Sequence, residues 1–421
     1  MKVSKVKKLL LICEHLLKFY DAKTLRAISQ NFELHLASSR KYLLDASEEI
    51  RSCFKEIHIY DTPPSAERLS PLPIDFLKTI IEGLSPKQSN LKIICTSELN
   101  MLHAAQLREE YNLGTPYYED VIFYKSKIAM KEKLSTANIR CPQYKIIDPC
   151  ENDAQLKLTF DTIKQEFGLP FILKPTDQSA TFGVMKINNQ DEFVEAVKCF
   201  GNVRYEAEEF INGVLFHADS LIQEGKIVYF ETSQYLSSGL AFLSGNIHGS
   251  IPLRKDNPLF ERIQSFTAKA LETLGWIEGS SHLEVFLNEN DELVFLEVSA
   301  RPPGSLVVEN YNRSFGINFL DEDLKIKLGI FEPLKESIPH YTFWVYFPWK
   351  AGTVARTHTP LLKSLTELHW FVKEGDTLDS PTCILDKTAQ MFVTNDDYDI
   401  LLEDFLSLKN FAPFEMIQEK M

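Results

Sequence analysis

The sequence predicts an α/β protein whose central and C-terminal parts are of the α+β type. Short apolar runs alternate with helical patterns in the first 120 residues, and closely spaced strand patterns follow from about residue 200. The chain has 421 residues, which is about 2.8 units of ~150 residues, so two or three domains are expected. Hydrophobic residues make up 44% of the chain. That is enough apolar side chain to fill real cores, which excludes long disorder.

The N-terminal region, residues 1–120, is predicted to form a parallel β-sheet with helices on both faces. Four short apolar runs have the length and composition of buried strands: Leu9–Cys13, Phe32–Ala37, Ile57–Tyr60 and Leu91–Cys95. Helical patterns such as Leu99–Tyr111 lie between or after them. This alternation is typical of a parallel sheet. No GxGxxG motif follows the first strand, so a dinucleotide-binding fingerprint is absent.

A second region, residues 121–205, combines helices with two strands that bracket a loop. Lys125–Ala137 has a helical pattern, and apolar residues from Leu156 to Phe167 repeat on one helix face. The strands Phe171–Lys174 and Val184–Ile187 flank the loop Pro175–Gly183. Another amphipathic helix follows, with its apolar face formed by Phe193, Ala196, Val197 and Phe200.

Residues 206–335 form a third region that is rich in strands. Three runs predict an antiparallel meander: Val203–Phe210, Val214–Ile222 and Ile227–Gln234. A helix, Phe260–Leu274, precedes two strands joined by a tight turn, Ser281–Asn288 and Glu292–Ser299. Residues 336–421 are expected to form a strand-rich extension that packs on this region. Its predicted elements are the strands Phe343–Phe347, Leu368–Val372, Cys383–Leu385 and Met391–Thr394 and the helix Asp397–Leu408.

The charge balance and the cysteines limit the possible partners and compartment. Lys and Arg number 45 and Asp and Glu number 59, giving a net charge of −14. Such a chain is not expected to bind nucleic acid generally or to adhere to an anionic membrane, because both need a basic surface. No run approaches the 18 apolar residues that a membrane-spanning helix needs, so no such helix is expected. The seven cysteines are at least nine residues apart, so thiols in a reducing cytoplasm are expected.

Two carboxylates are predicted to face each other across a hairpin. If Asn290-Asp291 is a two-residue turn, Glu284 lies opposite Glu297 and His282 lies opposite Ser299. The core face of the hairpin would then carry six apolar residues: Leu283, Val285, Leu287, Val294, Leu296 and Val298. Like charges ~5 Å apart are destabilising unless a cation lies between them. The alternatives are a magnesium site and a solvated hairpin face with ordinary acids.

This hairpin resembles the magnesium-binding hairpin of the ATP-grasp superfamily of carboxylate–amine ligases. The resemblance rests on His282-x-Glu284 in the first strand and on Glu297-x-x-x-Arg301-Pro302-x-Gly304 in the second. It implies that Glu284, Glu297 and Ser299 bind Mg²⁺, with Mn²⁺ as an alternative ion. It also implies that Arg301 is catalytic and lies near the transferred phosphate.

The upstream motifs of the superfamily occur in the same order. Ser126-Lys127-x-x-Met130 and Phe171-Ile172-Leu173-Lys174-Pro175 resemble the segments that carry its two nucleotide lysines. The resemblance implies that Lys127 and Lys174 contact the phosphates of ATP, with Lys174 also catalytic. Thr181 and Gly183 lie in a loop that resembles the mobile phosphate loop. The segment Glu208-Glu209-Phe210-Ile211-x-Gly213 resembles the hinge strand that holds adenine.

The resemblance covers roughly residues 5–335, and the following tail is similar to that of the L-amino acid ligases, the dipeptide-forming branch. It implies an ATP-grasp fold with a Rossmann-like N-terminal domain, a central lid and a catalytic domain. The implied reaction joins a small carboxylate, expected to be an amino acid, to an amine through an acylphosphate, with release of ADP and phosphate. The implied assembly is a homodimer in the cytoplasm.

Several positions depart from the pattern of the superfamily. The loop Asp177–Gly183 has one glycine where two or more are usual, and Ser299 replaces a common asparagine. Leu215 stands where, in the superfamily, a ribose-binding glutamate often follows the Gly-x pair of the hinge motif. His217, on the same strand face, is expected to bind the ribose instead. These departures keep two alternatives open. One is an ATP-binding protein with lost or vestigial catalysis, and the other is a carboxylase-type enzyme that uses bicarbonate.

Overall fold

The structure is a computed structural model that describes residues 7–63, 70–84, 90–148, 152–176, 181–199, 204–335 and 338–417. Its N-terminal region is built on a parallel sheet with strand order β3-β2-β1-β4. The strands are β1 (Lys7–Ile12), β2 (Phe32–Ser39), β3 (Glu56–Tyr60) and β4 (Leu91–Cys95). The helices of this region are α1 (Ala22–Ser29), α2 (Arg40–Asp45), α3 (Glu48–Arg51), α4 (Ile74–Leu84), α5 (Met101–Glu110) and α6 (Tyr118–Val121).

Successive residues of β1 pack into different hydrophobic cores on the two sides of this sheet. Leu9 and Leu11 belong to one core, and Leu10 and Ile12 belong to another. Alternate residues of a strand point to opposite faces, so both faces of this sheet are covered. The parallel sheet predicted from the sequence is therefore confirmed.

A second sheet, antiparallel and four-stranded, which we call the lid sheet, has the order β5-β8-β6-β7. The elements are α7 (Lys127–Ser135), β5 (Tyr144–Ile147), α8 (Asp153–Phe167), β6 (Phe171–Pro175), β7 (Met185–Ile187), α9 (Gln190–Cys199) and β8 (Tyr205–Glu209). Phe160, Phe171 and Phe193 pack with ring centroids 5.9 Å apart. They join α8 and α9 to the sheet. The predicted meander is wrong in its first strand, because β8 pairs with β5 and β6 in this sheet.

The largest sheet has eight strands in the order β13-β12-β9-β10-β11-β14-β18-β16, so strands of the C-terminal extension continue the sheet of the preceding region. The chain segment that supplies its first five strands in sequence contains β9 (Gly213–Gln223), β10 (Lys226–Tyr235), α10 (Gly239–Leu243), β11 (His248–Pro252), α11 (Pro258–Leu274), β12 (Gly279–Asn288) and β13 (Leu293–Ser299). The chain then continues through α12 (Val307–Phe315), α13 (Phe319–Leu328), β14 (Thr342–Phe347), β15 (Gly352–Thr357), β16 (Leu365–Trp370), β17 (Thr377–Leu378), β18 (Ala389–Thr394), α14 (Tyr398–Ser407) and β19 (Phe414–Met416). Strands β17, β15 and β19 form a separate small sheet.

The segment Cys383–Leu385 was predicted as a strand and is instead a turn. The Asp386 carboxylate accepts hydrogen bonds from the backbone N–H groups of Thr382 and Cys383, at 2.8 and 3.3 Å. A side chain that bonds nearby backbone amides in this way competes with strand pairing. Across the described residues, none of the helices combines the length and apolarity that crossing a membrane requires.

Asp321, on α13, connects the third region to the N-terminal region and makes stability depend on pH. Its carboxyl group accepts hydrogen bonds from the Asp21 N–H and from the Thr24 hydroxyl, at 3.2 and 3.0 Å. Burial raises the pKa of Asp321 to about 7. Since the native state then holds a proton that the unfolded chain releases, this group destabilises the fold as pH rises from about 4 to 7.

We expect Asp321→Asn to raise the free energy of unfolding by about 1–2 kcal/mol at pH 8 and to change it little at pH 4. The amide carries no charge to desolvate; its oxygen can accept from the Asp21 N–H, and its NH₂ group can donate to the Thr24 hydroxyl oxygen. Thermal unfolding at the two pH values measures the effect. The exposed Asp291→Asn is the control, and equal stabilisation of both variants, or none at pH 8, would contradict the prediction.

Candidate active site

A cavity of about 340 Å³ lies between the lid sheet and the eight-stranded sheet. Most of the residues that the resemblance assigns to nucleotide and metal binding line it: Lys127, Lys174, Thr181, Glu208, Glu209, Phe210, Ile211, Glu284 and Glu297. Gly183, Ser299, Arg301 and His217 do not line it. The walls between the polar groups are apolar, with Ile172, Leu215, Phe286 and Leu296 among them. A slot with apolar walls and a few converging charges is typical of a ligand site.

The hairpin β12–β13 brings the two predicted acids face to face. Glu284 pairs with Glu297, and His282 pairs with Ser299, as the sequence predicts. The turn itself is different: Glu289–Glu292 separate the two strands, and the Asn288 N–H donates a hydrogen bond to the Glu292 carbonyl oxygen that closes a three-residue loop, Glu289–Asp291. Asp291 has a φ of 59°, and the three-residue loop with a left-handed last residue is a common hairpin turn.

A β-bulge compensates for the extra turn residue. The register shifts between Glu284 and Val285, so that Val285 pairs with Phe295 and Leu296 is the extra residue. The predicted core face is therefore wrong at three positions, because Val294 pairs with the cavity-lining Phe286, and Phe295 and Leu296 exchange faces. Phe295 is fully buried in the core with Val285, whereas Leu296 lies next to Glu297 on the cavity side. The bulge bends the strand and points the acid toward the cavity.

Each acid of the pair has a fixed neighbour. The Tyr235 hydroxyl donates a hydrogen bond to Glu284 Oε1 at 3.0 Å, and His282 Nε2 lies 3.8 Å from the same oxygen. Lys127 Nζ lies 3.0 Å from Glu297 Oε2. Burial alone would raise the pKa of Glu284, but the hydrogen bond and charge of His282 and the Tyr235 hydroxyl hold it below its ordinary value. Glu284 is therefore held as an ionised oxygen donor.

Ser299 completes an oxygen-rich donor set on this hairpin. Its side chain is 6% exposed, and its hydroxyl has no hydrogen-bond partner within the described part of the chain. A buried hydroxyl without a partner costs free energy unless a ligand or a water molecule satisfies it. Two opposed carboxylates and one unsatisfied hydroxyl fit a hard divalent cation such as Mg²⁺.

A buried aspartate below the pair orients His282. Asp219 Oδ1 accepts a hydrogen bond from His282 Nδ1 at 2.6 Å, and Oδ2 accepts one from Tyr311 at 2.8 Å. Burial would lower the pKa of His282, but Asp219 raises it to about 9, so the ring is cationic near neutral pH. His217 also binds Asp219, through Nδ1 at 2.6 Å, and its Nε2 is hydrogen-bonded to the Ser250 hydroxyl at 2.8 Å. This arrangement leaves His217 buried, with both ring nitrogens already bonded.

Four alternating charges form a buried ionic cluster under the lid side of the cavity. We call Lys131, Lys174, Glu206 and Glu208 the charge quartet; each side chain is at most 5% exposed. Lys131 Nζ lies 2.8 Å from Glu206 and 2.5 Å from Glu208, and Lys174 Nζ lies 2.6 Å from Glu208. Burial opposes the charge on Lys174, but Glu208 and Glu206 raise its pKa well above its ordinary value. The lysine is thus permanently charged at the cavity wall.

The connection between the two sheets runs through Phe210 and Ile211, which line the cavity. Glu209, just before them, is held by Arg140 through two hydrogen bonds of 2.7 and 2.8 Å. Gly213 begins β9, where a Cβ atom would lie 2.4 Å from the Leu287 carbonyl oxygen. Only glycine allows this close approach, which explains the glycine of the hinge motif. Of the predicted phosphate loop, residues 177–180 lie outside the described residues.

Arg301 pairs with an acid from the N-terminal domain. Its Nε and Nη2 donate hydrogen bonds to Glu98 Oε2 at 2.9 and 2.6 Å, and Lys125 Nζ lies 3.5 Å from Oε1 of the same carboxylate. Burial would raise the pKa of Glu98, but Arg301, Lys125 and Lys127 hold it far below its ordinary value. Arg301 is therefore positioned by a contact with the N-terminal region, and it does not line the cavity.

Several residues of the site were missed by sequence reasoning. Tyr235, Asp219 and Glu98 reach the site from separate elements, and no local pattern marks them. A signal existed for two others. Lys131 follows Lys127 by four residues on one helix, and Glu206 precedes Glu208 by two on one strand. Both spacings place the side chains on a shared face.

We expect Tyr235→Phe to raise the Mg²⁺ concentration for half-maximal activity by about 10- to 100-fold, because groups that hydrogen-bond to metal ligands contribute on this scale. The Tyr235 hydroxyl donates a hydrogen bond of 3.0 Å to Glu284 Oε1. Magnesium titrations at saturating ATP measure the change. Tyr398→Phe, which removes a hydroxyl bonded to the Pro252 carbonyl oxygen, is the control. An unchanged magnesium dependence would contradict the proposed orientation of Glu284.

The chain is similar in sequence to known ligases. Residues 167–309 match the family of the ATP-grasp domain. The L-arginine-specific L-amino acid ligase of Bacillus subtilis is 23% identical over 308 residues, which cover 68% of this chain and 71% of that protein. The D-alanine–D-alanine ligase of Oceanobacillus iheyensis is 29% identical over 157 residues, or 34% of this chain and 41% of that protein.

Solved structures show the same fold over nearly the whole chain. The L-amino acid ligase from Bacillus licheniformis superposes with a TM-score of 0.70 at 16% identity, covering 98% of this chain and 99% of that structure. The carboxyaminoimidazole ribonucleotide synthase of Aspergillus clavatus, complexed with ATP, has a TM-score of 0.67 at 13% identity. The superposition covers 96% of this chain and 97% of that structure. The fold expected from the sequence resemblance is confirmed.

Proposed function

Because the chain carries an ATP-grasp domain, we propose that it is an ATP-dependent carboxylate–amine ligase that forms a peptide-like amide bond. The observation that carries this proposal is the bulged hairpin, which presents Glu284 and Glu297 toward the cavity that Lys127 and Lys174 also line. Two lysines and a carboxylate pair in one slot match the charge pattern of a magnesium–nucleotide complex. The reaction class follows that of the relatives named as amino acid ligases.

In this proposal, ATP occupies the slot between the two sheets. The adenine lies against the apolar wall of Ile172, Phe210 and Leu296, and backbone groups of the Phe210–Ile211 connection hold its edge. The phosphates extend toward Lys174 and Lys127. Glu284, Glu297 and Ser299 hold Mg²⁺, which supplies Lewis-acid neutralisation of the phosphate oxygens when bound. Thr181 and Gly183 belong to the loop that covers the phosphates.

The chemistry needs no nucleophile from the protein. An oxygen of the carboxylate substrate attacks the γ-phosphorus, the bond to the β,γ-bridging oxygen breaks, and ADP leaves. The amine nitrogen of the second substrate then attacks the acyl carbon, and inorganic phosphate leaves as the amide forms. Lys127 and Lys174 stabilise negative charge on the transferring phosphate, and Arg301 holds oxygens of the acylphosphate. Exclusion of water by the lid protects that intermediate from hydrolysis.

The proposed substrates are small molecules, with an amino acid as the carboxylate partner. The relatives act on L-amino acids, L-arginine in one case, or on D-alanine, as their names state. The cytoplasm is the proposed compartment, because Cys13, Cys53, Cys95, Cys141 and Cys383 carry unbridged thiols. The homodimer implied by the sequence resemblance stays a prediction.

The test is ADP formation by the full-length protein with ATP, Mg²⁺ and amino acids, supplied singly and in pairs. We expect release of ADP and phosphate that depends on the amino acid, together with an amide product identified by mass spectrometry. Bicarbonate as the only acceptor is the matched comparison. ATP binding without ADP formation from any amino acid pair would support the non-catalytic alternative, and turnover with bicarbonate alone would support the carboxylase alternative. Either result would overturn the proposal.

A further inference from the structure

Two histidines and a glutamate lie together on the sheet of the N-terminal domain, outside the cavity described above. His35 is on β2, and Glu56 and His58 are on the adjacent edge strand β3. His35 pairs in register with Glu56, and His58 pairs two residues further along with Ala37. Because alternate residues share a face, the side chains of all three project from the same side of the sheet.

The three side chains converge on one point. Glu56 Oε2 lies 3.6 Å from His35 Nδ1 and 3.7 Å from His58 Nε2. The three candidate ligand atoms all lie within 4.8 Å of one another. The imidazole rings are stacked, with centroids 5.7 Å apart and planes 22° apart. Bonds of ~2.1 Å to a common tetrahedral centre would place ligand atoms ~3.4 Å apart, close to the two separations seen here.

The two ring nitrogens that face Glu56 are unsatisfied. His35 is 2% exposed, and neither its Nδ1 nor the buried Nε2 of His58 has a hydrogen-bond partner among the residues that the structure describes. Two buried imidazole nitrogens without partners are costly in a folded protein. Their shared direction toward one carboxylate oxygen indicates a ligand between them.

The remaining nitrogen of His35 is bonded in a way that prepares the ring for a metal. Its Nε2 lies 3.0 Å from Glu33 Oε1. An ionised carboxylate only accepts, so Nε2 carries the proton and a neutral ring keeps the lone pair of Nδ1 toward Glu56. A carboxylate that holds the far nitrogen of a histidine in this way is the usual support of a metal ligand.

We propose that His35 Nδ1, His58 Nε2 and the Glu56 carboxylate form a site for a transition-metal ion of the Zn²⁺ class, with a water molecule in the fourth position. Two imidazoles and one carboxylate favour Zn²⁺, Co²⁺ or Ni²⁺ over Mg²⁺, which prefers oxygen donors. Glu56 is 58% exposed, so an ion can enter from solvent. The ion would tie the edge strand β3 to β2 and stabilise the N-terminal domain.

The test uses the full-length protein after dialysis against a chelator. Calorimetric titration with Zn²⁺ should show one tight site per chain, and Zn²⁺ should raise the thermal unfolding temperature. Titration with Co²⁺ should produce visible absorption bands from the bound ion. Glu56→Gln and His58→Asn should each weaken Zn²⁺ binding at least ~10-fold and abolish the Co²⁺ bands, since each removes one of three ligands.

Two control variants separate this site from others on the chain. Glu297→Ala removes an acid of the active-site hairpin and should keep the tight Zn²⁺ site and the Co²⁺ bands. His340→Ala removes an exposed histidine next to Asp396 and should also bind as the wild type does. Absence of a stoichiometric site, binding lost in Glu297→Ala, or unchanged binding in both Glu56→Gln and His58→Asn would overturn the proposal.

Discussion

Glu297→Ala is expected to lower kcat for ADP formation by at least ~100-fold, about 3 kcal/mol of transition-state free energy. Glu297 is one of the two carboxylates that face each other on the bulged hairpin, and it also lies 3.0 Å from Lys127 Nζ. The substitution removes an oxygen donor from the proposed metal site. It also leaves Lys127 without the carboxylate that positions it. Steady-state rates over a range of Mg²⁺ concentrations measure the loss.

The fold should survive this change, because the Glu297 side chain is 37% exposed and its backbone remains paired in the hairpin. Glu289→Gln, an acid in the turn of the same hairpin, is the matched control and should keep full activity. If Glu297→Ala retained wild-type kcat and magnesium dependence, the carboxylate pair would not be the metal site. Loss of secondary structure by circular dichroism would show instead that Glu297 is a structural residue.

The hairpin shows why a local prediction can be right for a reason that is partly wrong. The pairing of Glu284 with Glu297 was predicted with a two-residue turn, yet the turn has three residues and a bulge restores the register. Alternation of apolar residues does not reveal a bulge, because Phe295 and Leu296 are both apolar. Their exchange of faces depends on packing from neighbouring strands.

Elements and motif order were predictable, and pairings distant in sequence were not. The four strands of the parallel sheet follow from short apolar runs and were found at nearly the right bounds. The sheet to which β8 belongs depends instead on its pairing with β5 and β6. Likewise, the approach of Glu98 to Arg301 joins residues 203 positions apart. Local periodicity carries no information about such contacts.

Lys131→Met is expected to destabilise the lid by about 3–5 kcal/mol, because it leaves an uncompensated charge inside the charge quartet. Lys131 is 2% exposed and contacts both Glu206 and Glu208. With the ammonium gone, two buried carboxylates face Lys174 alone, which pulls that lysine away from its position at the cavity wall. We therefore also expect a higher KM for ATP. Thermal unfolding and ATP-dependent rates measure the two effects.

The double variant Lys131→Met/Glu206→Gln distinguishes charge balance from lost packing. It leaves Lys174 and Glu208, 2.6 Å apart, as a neutral pair, so most of the stability should return. Lys145→Met is the matched control in the same sheet: its exposed pair with Glu166 should contribute less than about 1 kcal/mol. If the double variant were as unstable as Lys131→Met, the buried aliphatic stem rather than the charge would stabilise the lid, and the quartet would not be what holds Lys174 toward the nucleotide.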